Sequence, residues 1–525
     1  MTNRLVAALA AFGSLMLTTA LAADERPVTR PFKVIRLYPD STEQLKALEG
    51  LWKVAERHGL DFWQPPKRVG GIVDVMVSGG DEGHDFLVAF IQEHGLKAKT
   101  TIDDVESLIQ KKEGRSRALS SFNRMLYDDV SSRSRQPRFN FRRYGSYDEI
   151  TDYMKRVAAT YPRLARVIKI GDTHEKRPIL GLKVGSPVTE RDKKVIYIDG
   201  GIHSREWAAP HTTVYFIHQL VTRYDSDPQI RDYLDRLNFF IVPVANPDGY
   251  EYSRSSTNPS VRLWRKNRST NKCLKDYKGN EICCKGVDLN RNFDFHWAEQ
   301  GSSRDPCSEI YHGKGPFSEP ESRAIRDLIL KLRGKVEAFI TLHTYSQLWI
   351  HPFGHRESNY PTDVGELYKL GKEAADALAR VNGKKYVVGS GADTLYPASG
   401  GSDDWAKAKA GIKFVYLLEL RPEEEEWDGF ILDEKELVPT ATETWAGVRV
   451  VVDEVLRRNE QQSGATRSAV GRRRGAGRRS GGGGRRSCVD LRTFACRQWV
   501  RNTPTLCHTV KEFMREQCAL SCGHC

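Results

Sequence analysis

The chain has 525 residues, of which 39% are hydrophobic, and a formal net charge of +13. This length allows two or three domains and provides ample material for a large core. Ten arginines lie between Arg457 and Ser487, so the positive charge belongs largely to one segment. The charge therefore does not indicate a basic globular surface, and we expect no specific nucleic-acid binding.

The first 22 residues have the pattern of a secretory signal peptide. Arg4 precedes an apolar stretch from Leu5 to Thr19, and Ala20-Leu21-Ala22 is a small-x-small cleavage site. No later stretch reaches about 18 apolar residues, so we expect no transmembrane segment. The sequence predicts a secreted, extracellular protein whose cysteines are oxidised.

The ten cysteines form two groups with an even number in each, which indicates disulfides within each group. Four cysteines allow three pairings, and these stay open for the middle group. Residues 488–525 hold the terminal group and too little apolar material for a core, which predicts a disulfide-stapled module. The middle group is Cys273, Cys283, Cys284 and Cys307, and the terminal group is Cys488, Cys496, Cys507, Cys518, Cys522 and Cys525.

Residues 24 to about 103 are predicted to form a small α/β unit, because apolar β-branched runs alternate with amphipathic helical patterns. A charged Ser/Arg-rich stretch follows, and we expect an exposed connector that is open to trypsin-like cleavage near Arg133 and Arg135. The predicted strands are Val34–Leu37 and Ile72–Val77, and the helical faces hold Leu45, Leu48, Trp52 and Ala55, and Phe86, Leu87, Phe90 and Ile91.

From about Phe139 to Arg457, strand-like runs alternate with helical patterns. This alternation predicts an α/β fold with a mixed or largely parallel sheet covered by helices on both faces. The Arg/Gly-rich stretch 458–487 is predicted to be a disordered linker. The predicted strands are Val167–Ile170, Val195–Ile198, Phe239–Val244, Val336–Leu342 and Phe414–Leu420, and the predicted helices are Tyr147–Thr160, Trp207–Arg223, Glu319–Leu332, Val364–Val381 and Thr440–Arg457.

Candidate metal ligands lie at the carboxyl ends of predicted strands, where sites of such sheets gather. His203 and Glu206 follow Gly200-Gly201, where the chain turns sharply. A lone His-x-x-Glu is far more often part of an ordinary loop. His343 ends another predicted strand, and two His with one Glu suit catalytic zinc. Glu419 lies in a third apolar strand, where a carboxylate is costly unless it is paired or used.

Several motifs occur together in a characteristic order. Residues 139 to 457 carry them and resemble the secreted zinc metallocarboxypeptidases of the pancreatic A/B type. Residues 32 to about 103 resemble the inhibitory activation segment of that family, a ferredoxin-like β-α-β-β-α-β unit, and residues 488–525 resemble an ShK-toxin-like module. The motifs are Gly200-Gly201-Ile202-His203-Ser204-Arg205-Glu206-Trp207, Asn246-Pro247-Asp248-Gly249-Tyr250, Arg262-Leu263-Trp264-Arg265-Lys266, Gly286-Val287-Asp288-Leu289-Asn290-Arg291-Asn292, Leu342-His343-Thr344-Tyr345-Ser346 and Tyr396-Pro397-Ala398-Ser399-Gly400-Gly401-Ser402-Asp403-Asp404-Trp405.

The resemblance implies one Zn²⁺ per catalytic domain, held by His203, Glu206 and His343. Asp288 would orient His203, and Glu419 would be the general base. The remaining implied roles concern the substrate and its transition state. Arg265 would face the developing oxyanion, Asn290, Arg291 and Tyr396 would grip the C-terminal carboxylate, and Arg205 and Arg262 would line the entry.

The resemblance also implies disulfide pairings. Cys284–Cys307 matches the family disulfide, which leaves Cys273 and Cys283 as an extra pair. For the terminal module the implied pairs are Cys488–Cys525, Cys496–Cys518 and Cys507–Cys522.

Asp403 occupies the position that, in the family, lies at the base of the pocket for the C-terminal side chain. That position is aliphatic in the A type and aspartate in the B type. Gly391 also matches the B type, whereas Gly354 and Ser399 are more like the A type. A buried carboxylate needs a cationic partner, so we expect cleavage of C-terminal Lys and Arg. A-type or mixed specificity for apolar residues is the alternative.

The leading hypothesis is a secreted zymogen whose substrates are the C-termini of peptides and proteins and whose activator is a trypsin-like protease. Its parts would be a signal peptide (1–22), an activation propeptide (23–135), a catalytic domain (136–457), the linker (458–487) and the ShK-like module (488–525). The competing hypothesis is a secreted binding protein with a vestigial peptidase body, although such proteins usually lose ligands or the base. The linker and module would attach to a docking partner or an acidic glycan.

Overall fold

The computed structural model describes residues 31–77, 81–113, 136–270, 272–275 and 281–472. The predicted signal peptide, the cleavage region near Arg133 and Arg135, and the module 488–525 lie outside the described residues. Within these ranges, no helix is both long and apolar enough to span a bilayer. The chain forms an N-terminal unit (residues 31–113) and a main unit (residues 136–472), which are described in turn.

The N-terminal unit is an antiparallel sheet with two helices packed on it. Its described strands have the order β2-β3-β1-β4, which with the chain order gives the predicted ferredoxin-like unit. Leu37, Leu48, Val75 and Leu87 form part of its core. A third helix continues towards the main unit. The elements are β1 (Lys33–Tyr38), α1 (Thr42–Trp52), β2 (Leu60–Phe62), β3 (Val73–Val77), α2 (Asp81–Glu93), β4 (Lys97–Ile102) and α3 (Val105–Glu113).

The first half of the main unit begins with a helix whose start the sequence specifies. The Ser146 hydroxyl oxygen accepts a hydrogen bond from the Glu149 backbone N–H, and the Glu149 carboxylate accepts one from the Ser146 backbone N–H, which together form a capping box. The elements are α4 (Tyr147–Thr160), β5 (Ala165–Asp172), β6 (Pro178–Val184), β7 (Lys194–Gly200), α5 (Ala208–Thr222), α6 (Pro228–Arg236), β8 (Leu237–Val242), α7 (Pro247–Arg254), α8 (Pro259–Arg262), β9 (Lys272–Lys275) and β10 (Glu281–Cys284).

The second half ends in a helix that differs from the prediction. This helix continues past Arg457, the predicted domain end, to Arg472, so residues 458–472 are helical where a disordered linker was expected. Extending an existing helix adds one hydrogen bond for each residue that is fixed and costs far less than nucleating a new helix. The elements are α9 (Pro320–Lys331), β11 (Val336–Ser346), β12 (Leu348–His351), α10 (Val364–Asn382), β13 (Val387–Ser390), α11 (Gly391–Thr394), α12 (Ser402–Ala408), β14 (Phe414–Glu423) and α13 (Leu437–Arg472).

The main sheet, as described, has the strand order β13-β12-β14-β11-β7-β8-β6-β5. Its centre is parallel, since β11 pairs in parallel with β7 and β14, and β7 with β8. Antiparallel pairs of β5 with β6, β6 with β8 and β12 with β14 make it mixed. Helices α4, α5, α10 and α13 cover one face, and α9 and α12 cover the other. The predicted fold class is confirmed.

The register of the central strands brings three candidate residues to one edge of the sheet. His343 on β11 lies directly opposite Glu419 on β14. On its other side, Leu342 pairs with Gly200, the last residue of β7. The turn that carries His203 and Glu206 begins immediately after Gly200, so the carboxyl ends of these strands meet at one site.

Candidate active site

His203, Glu206 and His343 form a cluster at the carboxyl ends of β7 and β11. His203 Nδ1 lies 2.7 Å from Glu206 Oε1, and His343 Nδ1 lies 3.1 Å from Glu206 Oε2. The two Nδ1 atoms are 3.2 Å apart. Gly201 permits this turn, because its φ is +66° and a Cβ there would lie 2.8 Å from Pro210 Cγ. One atom from each of the three side chains lies within 4.8 Å of the others.

The donor set fits a zinc ion. Two imidazole nitrogens and one carboxylate are the ligands of catalytic zinc, and a cleft beside them leaves room for a further ligand. Burial opposes ionisation of Glu206, but the neighbouring His203 and His343 outweigh it and hold the pKa of Glu206 below its ordinary value. The carboxylate is therefore in the ionised form that a metal requires.

Asp288 holds His203 and Arg265 together. His203 Nε2 lies 3.1 Å from Asp288 Oδ1, so the ring presents Nδ1 to the cluster. Arg265 donates Nε–H and Nη2–H to Asp288 Oδ2 at 3.0 and 2.9 Å. Burial would raise the pKa of Asp288, but the charges of Arg265 and Arg291 outweigh burial and keep it well below its ordinary value. A permanent carboxylate thus orients both side chains.

Glu419 lines the cleft beside the cluster. Its side chain is nearly buried, and its Oε2 has no hydrogen-bond partner among the described residues. Burial raises the pKa of Glu419 to about 8, and the charge of Glu206 adds to the effect while His343 opposes it. A carboxylate with such an affinity for protons is suited to take one from water.

Asn290, Arg291 and Tyr396 line the same cleft, which encloses about 700 Å³ including its open mouth. Arg291 is 2% exposed and donates Nε–H to the Gly301 carbonyl at 2.7 Å and Nη1–H to the Asn290 carbonyl at 2.9 Å. Its Nη2 has no partner among the described residues. The fixed guanidinium therefore retains donors for a carboxylate.

Asp403 lies in the first turn of α12 and also lines the cleft. It is 6% exposed, and no Lys or Arg of the described chain pairs with it. Burial, followed by the charge of Asp404, raises the pKa of Asp403 to about 7. Gly354 and Gly391 face each other here, since a Cβ on Gly391 would lie 3.0 Å from Gly354 Cα. Both glycines line the same cleft as Asp403.

Comparison with known proteins decides the family. The zinc carboxypeptidase family model matches residues 150–447, the carboxypeptidase activation peptide model matches 35–112, and the ShK domain-like model matches 487–525. The chain belongs to the zinc carboxypeptidase family. The predicted resemblance is confirmed in all three parts, and zinc is the metal of the family.

The relatives of this carboxypeptidase include both specificity types. Carboxypeptidase B of Astacus astacus is 44% identical over 313 residues, covering 59% of this chain and 96% of that protein. Carboxypeptidase A2 of Rattus norvegicus is 37% identical over 424 residues, covering 81% and 93%. The relatives therefore establish the peptidase class, but they do not determine which C-terminal residue is preferred.

Two solved structures share the fold of this carboxypeptidase. The crystal structure of thrombin activatable fibrinolysis inhibitor has a TM-score of 0.69 and 30% identity, covering 82% of this chain and 99% of that chain. Carboxypeptidase A of Helicoverpa armigera has a TM-score of 0.68 and 28% identity, covering 81% and 97%. Each likeness covers a larger share of this chain than the main unit (residues 136–472) makes up. Both likenesses therefore extend beyond the main unit.

The N-terminal unit covers the cleft of the carboxypeptidase. Trp63 and Gln64 line the cleft, and Gln64 donates Nε2–H to Ser346 Oγ at 3.1 Å. The ring of Trp63 lies edge-on to Phe430 at 5.8 Å. None of these contacts was foreseen, because they join residues far apart in sequence and no local pattern marks them.

Arg205 and Arg262 were predicted to line the substrate entry, but here both face the N-terminal unit. Arg205 Nη1 lies 3.1 Å from Asp61 Oδ2. Arg262 donates Nε–H and Nη2–H to Glu113 at 2.7 and 2.6 Å. The two arginines are 2% and 0% exposed, so the covering unit withholds them from a peptide.

The four middle cysteines form two disulfides, Cys273–Cys283 and Cys284–Cys307. The first closes the β9–β10 hairpin, where the two cysteines are cross-strand partners. The second joins the end of that hairpin to the loop before Tyr311. The six terminal cysteines lie outside the described residues.

Proposed function

We propose that this zinc carboxypeptidase removes C-terminal Lys and Arg from peptides and proteins. The observation that carries the proposal is Asp403, a buried carboxylate in the cleft with no cation of the described chain beside it. A buried carboxylate without a cation is costly, and a substrate Lys or Arg would supply that cation.

The catalytic roles follow from the positions of the side chains. His203, Glu206 and His343 would hold the zinc, which when bound supplies a Lewis acid that activates water and polarises the scissile carbonyl. Glu419 would take a proton from water and pass it to the leaving amine, because its free Oε2 lies in the cleft. Arg265, fixed by Asp288, would face the developing negative charge.

Three residues would make the reaction specific for the chain end. The free Nη2 of Arg291, with Asn290 and Tyr396 beside it, would bind the terminal carboxylate of the substrate. A guanidinium held by two backbone carbonyls loses little freedom when it binds, which favours a tight and well-oriented complex. An internal peptide segment has no carboxylate for this grip.

We propose further that the protein is a secreted zymogen, with residues 23–135 as its activation propeptide and 136–457 as its catalytic domain. Cleavage by a trypsin-like protease near Arg135 would release the N-terminal unit that covers the cleft. The basic segment before Ser487 and the ShK domain would attach the protein to an acidic glycan or another docking partner by charge. The vestigial alternative has less support, because His203, Glu206, His343 and Glu419 are all present.

The test is an assay of the trypsin-treated protein on matched peptides ending in Arg, Lys, Phe and Leu, with and without a chelator. We expect cleavage of the Arg and Lys peptides that the chelator abolishes. The matched variant Asp403→Ile should prefer Leu and Phe. Retention of the Arg and Lys preference by Asp403→Ile would show that the base of the pocket is assigned wrongly.

A further inference from the structure

His343 has a support that the metal-site motifs do not contain. Its Nδ1 faces Glu206 and His203, so this nitrogen lies on the ligand side of the ring. The other nitrogen, Nε2, lies 3.3 Å from Thr341 Oγ1. A neutral imidazole that offers Nδ1 to a metal carries its hydrogen on Nε2. This hydrogen therefore points to the Thr341 hydroxyl, which accepts it.

Thr341 in turn is backed by a buried carboxylate. In the parallel register of β11 and β7, Thr341 is the direct partner of Asp199, whose Oδ1 has no hydrogen-bond partner among the described residues. Because the hydroxyl oxygen accepts from His343, its own hydrogen is available for Asp199. Tyr197 donates its O–H to Asp199 Oδ2 at 2.8 Å. Oδ2 of Asp199 is thus satisfied by Tyr197, and Oδ1 remains open to the Thr341 hydroxyl.

The burial of this group of side chains calls for an explanation. Thr341, Asp199 and Tyr197 are 0% exposed, and His343 is 1% exposed. No Lys or Arg of the described chain forms an ion pair with Asp199. A buried carboxylate without a cation is costly in the middle of a sheet. A role in orienting the ring of His343 would account for the position of the Asp199 carboxylate.

The arrangement parallels the one around the other imidazole. His203 presents Nδ1 to the cluster, and its Nε2 lies 3.1 Å from Asp288. His343 presents the same nitrogen, and the hydroxyl beside its Nε2 belongs to Thr341, the register partner of Asp199. Partners of this kind fix the tautomer and the orientation of a metal-binding ring, and losing one commonly weakens metal binding 10- to 100-fold.

We propose that Thr341 and Asp199 are positioning residues of the zinc site: the Thr341 hydroxyl, backed by Asp199, holds His343 with Nδ1 directed at the metal. This inference rests on the ligand assignment in the proposed function. A ring already held in this orientation need not turn or change its tautomer when zinc binds. The pair therefore strengthens zinc binding without touching zinc or substrate.

The test compares Thr341→Val, which removes the hydroxyl at nearly constant volume, with Thr341→Ser, which keeps it. Thr444→Val is the matched control, because Thr444 is also 0% exposed but donates its hydroxyl to the Thr440 carbonyl within α13. The zinc dissociation constant of each full-length protein is measured by competition with a chelator at one pH. Thermal unfolding of the zinc-free proteins measures the loss of stability separately.

We expect zinc binding to weaken roughly 10- to 100-fold in Thr341→Val and to stay within about threefold of wild type in Thr341→Ser and Thr444→Val. Wild-type affinity in Thr341→Val would refute the positioning role. Equal weakening in the Val and Ser variants would also refute it, because packing and not the hydroxyl would then be responsible. The variant His343→Ala tests the ligand assignment separately from the positioning role. If His343→Ala keeps wild-type zinc affinity, the assignment of His343 as a zinc ligand fails.

Discussion

The pair of Glu113 and Arg262 is predicted to be the strongest polar contact between the N-terminal unit and the main unit. Glu113 ends α3, and both of its oxygens accept hydrogen bonds from Arg262, at 2.6 and 2.7 Å. The side chains are 1% and 0% exposed. Arg262 also stacks on Trp207, with 3.5 Å from its central carbon to the ring centre. The pair is therefore a desolvated, bidentate contact.

The variant Glu113→Ala leaves Arg262 buried without its carboxylate as long as the N-terminal unit stays in place. Removing one partner of a buried ion pair costs about 3–5 kcal/mol. The carbonyls of Arg205 and Phe430, at 2.9 and 3.4 Å, still accept from Arg262 and reduce this cost. We estimate about 2–4 kcal/mol, which corresponds to roughly a 30- to 700-fold shift towards the open form.

The assay is the activity of the intact, uncleaved protein on a small peptide ending in Arg, relative to its activity after trypsin treatment. Glu113→Ala should raise this ratio strongly. Arg57→Ala is the matched control at the same interface, because Arg57 is 55% exposed where it pairs with Asp305. An exposed pair contributes about 0–1 kcal/mol, so the control should change the ratio at most about fivefold. Equal effects of the two variants would refute the reasoning from burial.

Two further predictions concern the cleft itself. Glu419→Gln should lower kcat by about 10²- to 10⁴-fold, because general-base catalysis is lost. The zinc content of this variant should stay at one per chain. Either a normal kcat or a loss of zinc would contradict the assigned role of Glu419. For Asp403, only the ionised form pairs with a substrate cation, so kcat/KM for an Arg peptide divided by that for a Leu peptide should rise with pH. The midpoint should lie at or below about 7, since burial raises the pKa of Asp403 to about 7 while the N-terminal unit covers the cleft. Asp403→Asn should give a flat profile, and a ratio that falls with rising pH would contradict the pairing.

The central strands could be predicted because their sequences reflect burial on both faces of the sheet. Val195–Ile198 and Phe414–Leu418 are continuous apolar runs, as strands buried on both faces require. Edge elements lack this signature: β4 is the polar sequence Lys-Ala-Lys-Thr-Thr-Ile, and β13 has only four residues. Their pairing is decided by neighbouring strands, which a local pattern does not contain.

The residues of the site also fall into those that could be predicted from the sequence and those that could not. His203 and His343 were conspicuous as polar residues at the ends of apolar strands, and Glu419 as a charge within one. Thr341 and Asp199 were not, because each is a single polar residue whose importance depends on the register between β11 and β7. The contacts of the N-terminal unit depend on docking between residues far apart in the chain, and the sequence of neither side predicts its partner.

The four arginines around the cleft explain why one covering unit suffices to keep it closed. Arg265 has its carboxylate within the main unit, as Asp288. Arg291 keeps one donor, Nη2, that has no hydrogen-bond partner among the described residues. Arg205 and Arg262 receive Asp61 and Glu113 instead, both from the N-terminal unit. Because desolvated guanidinium groups need anions, these two carboxylates stabilise the closed arrangement, and release of the unit would leave both arginines without them. We therefore expect the positive charge that holds the N-terminal unit in place to become available to a substrate once that unit is released.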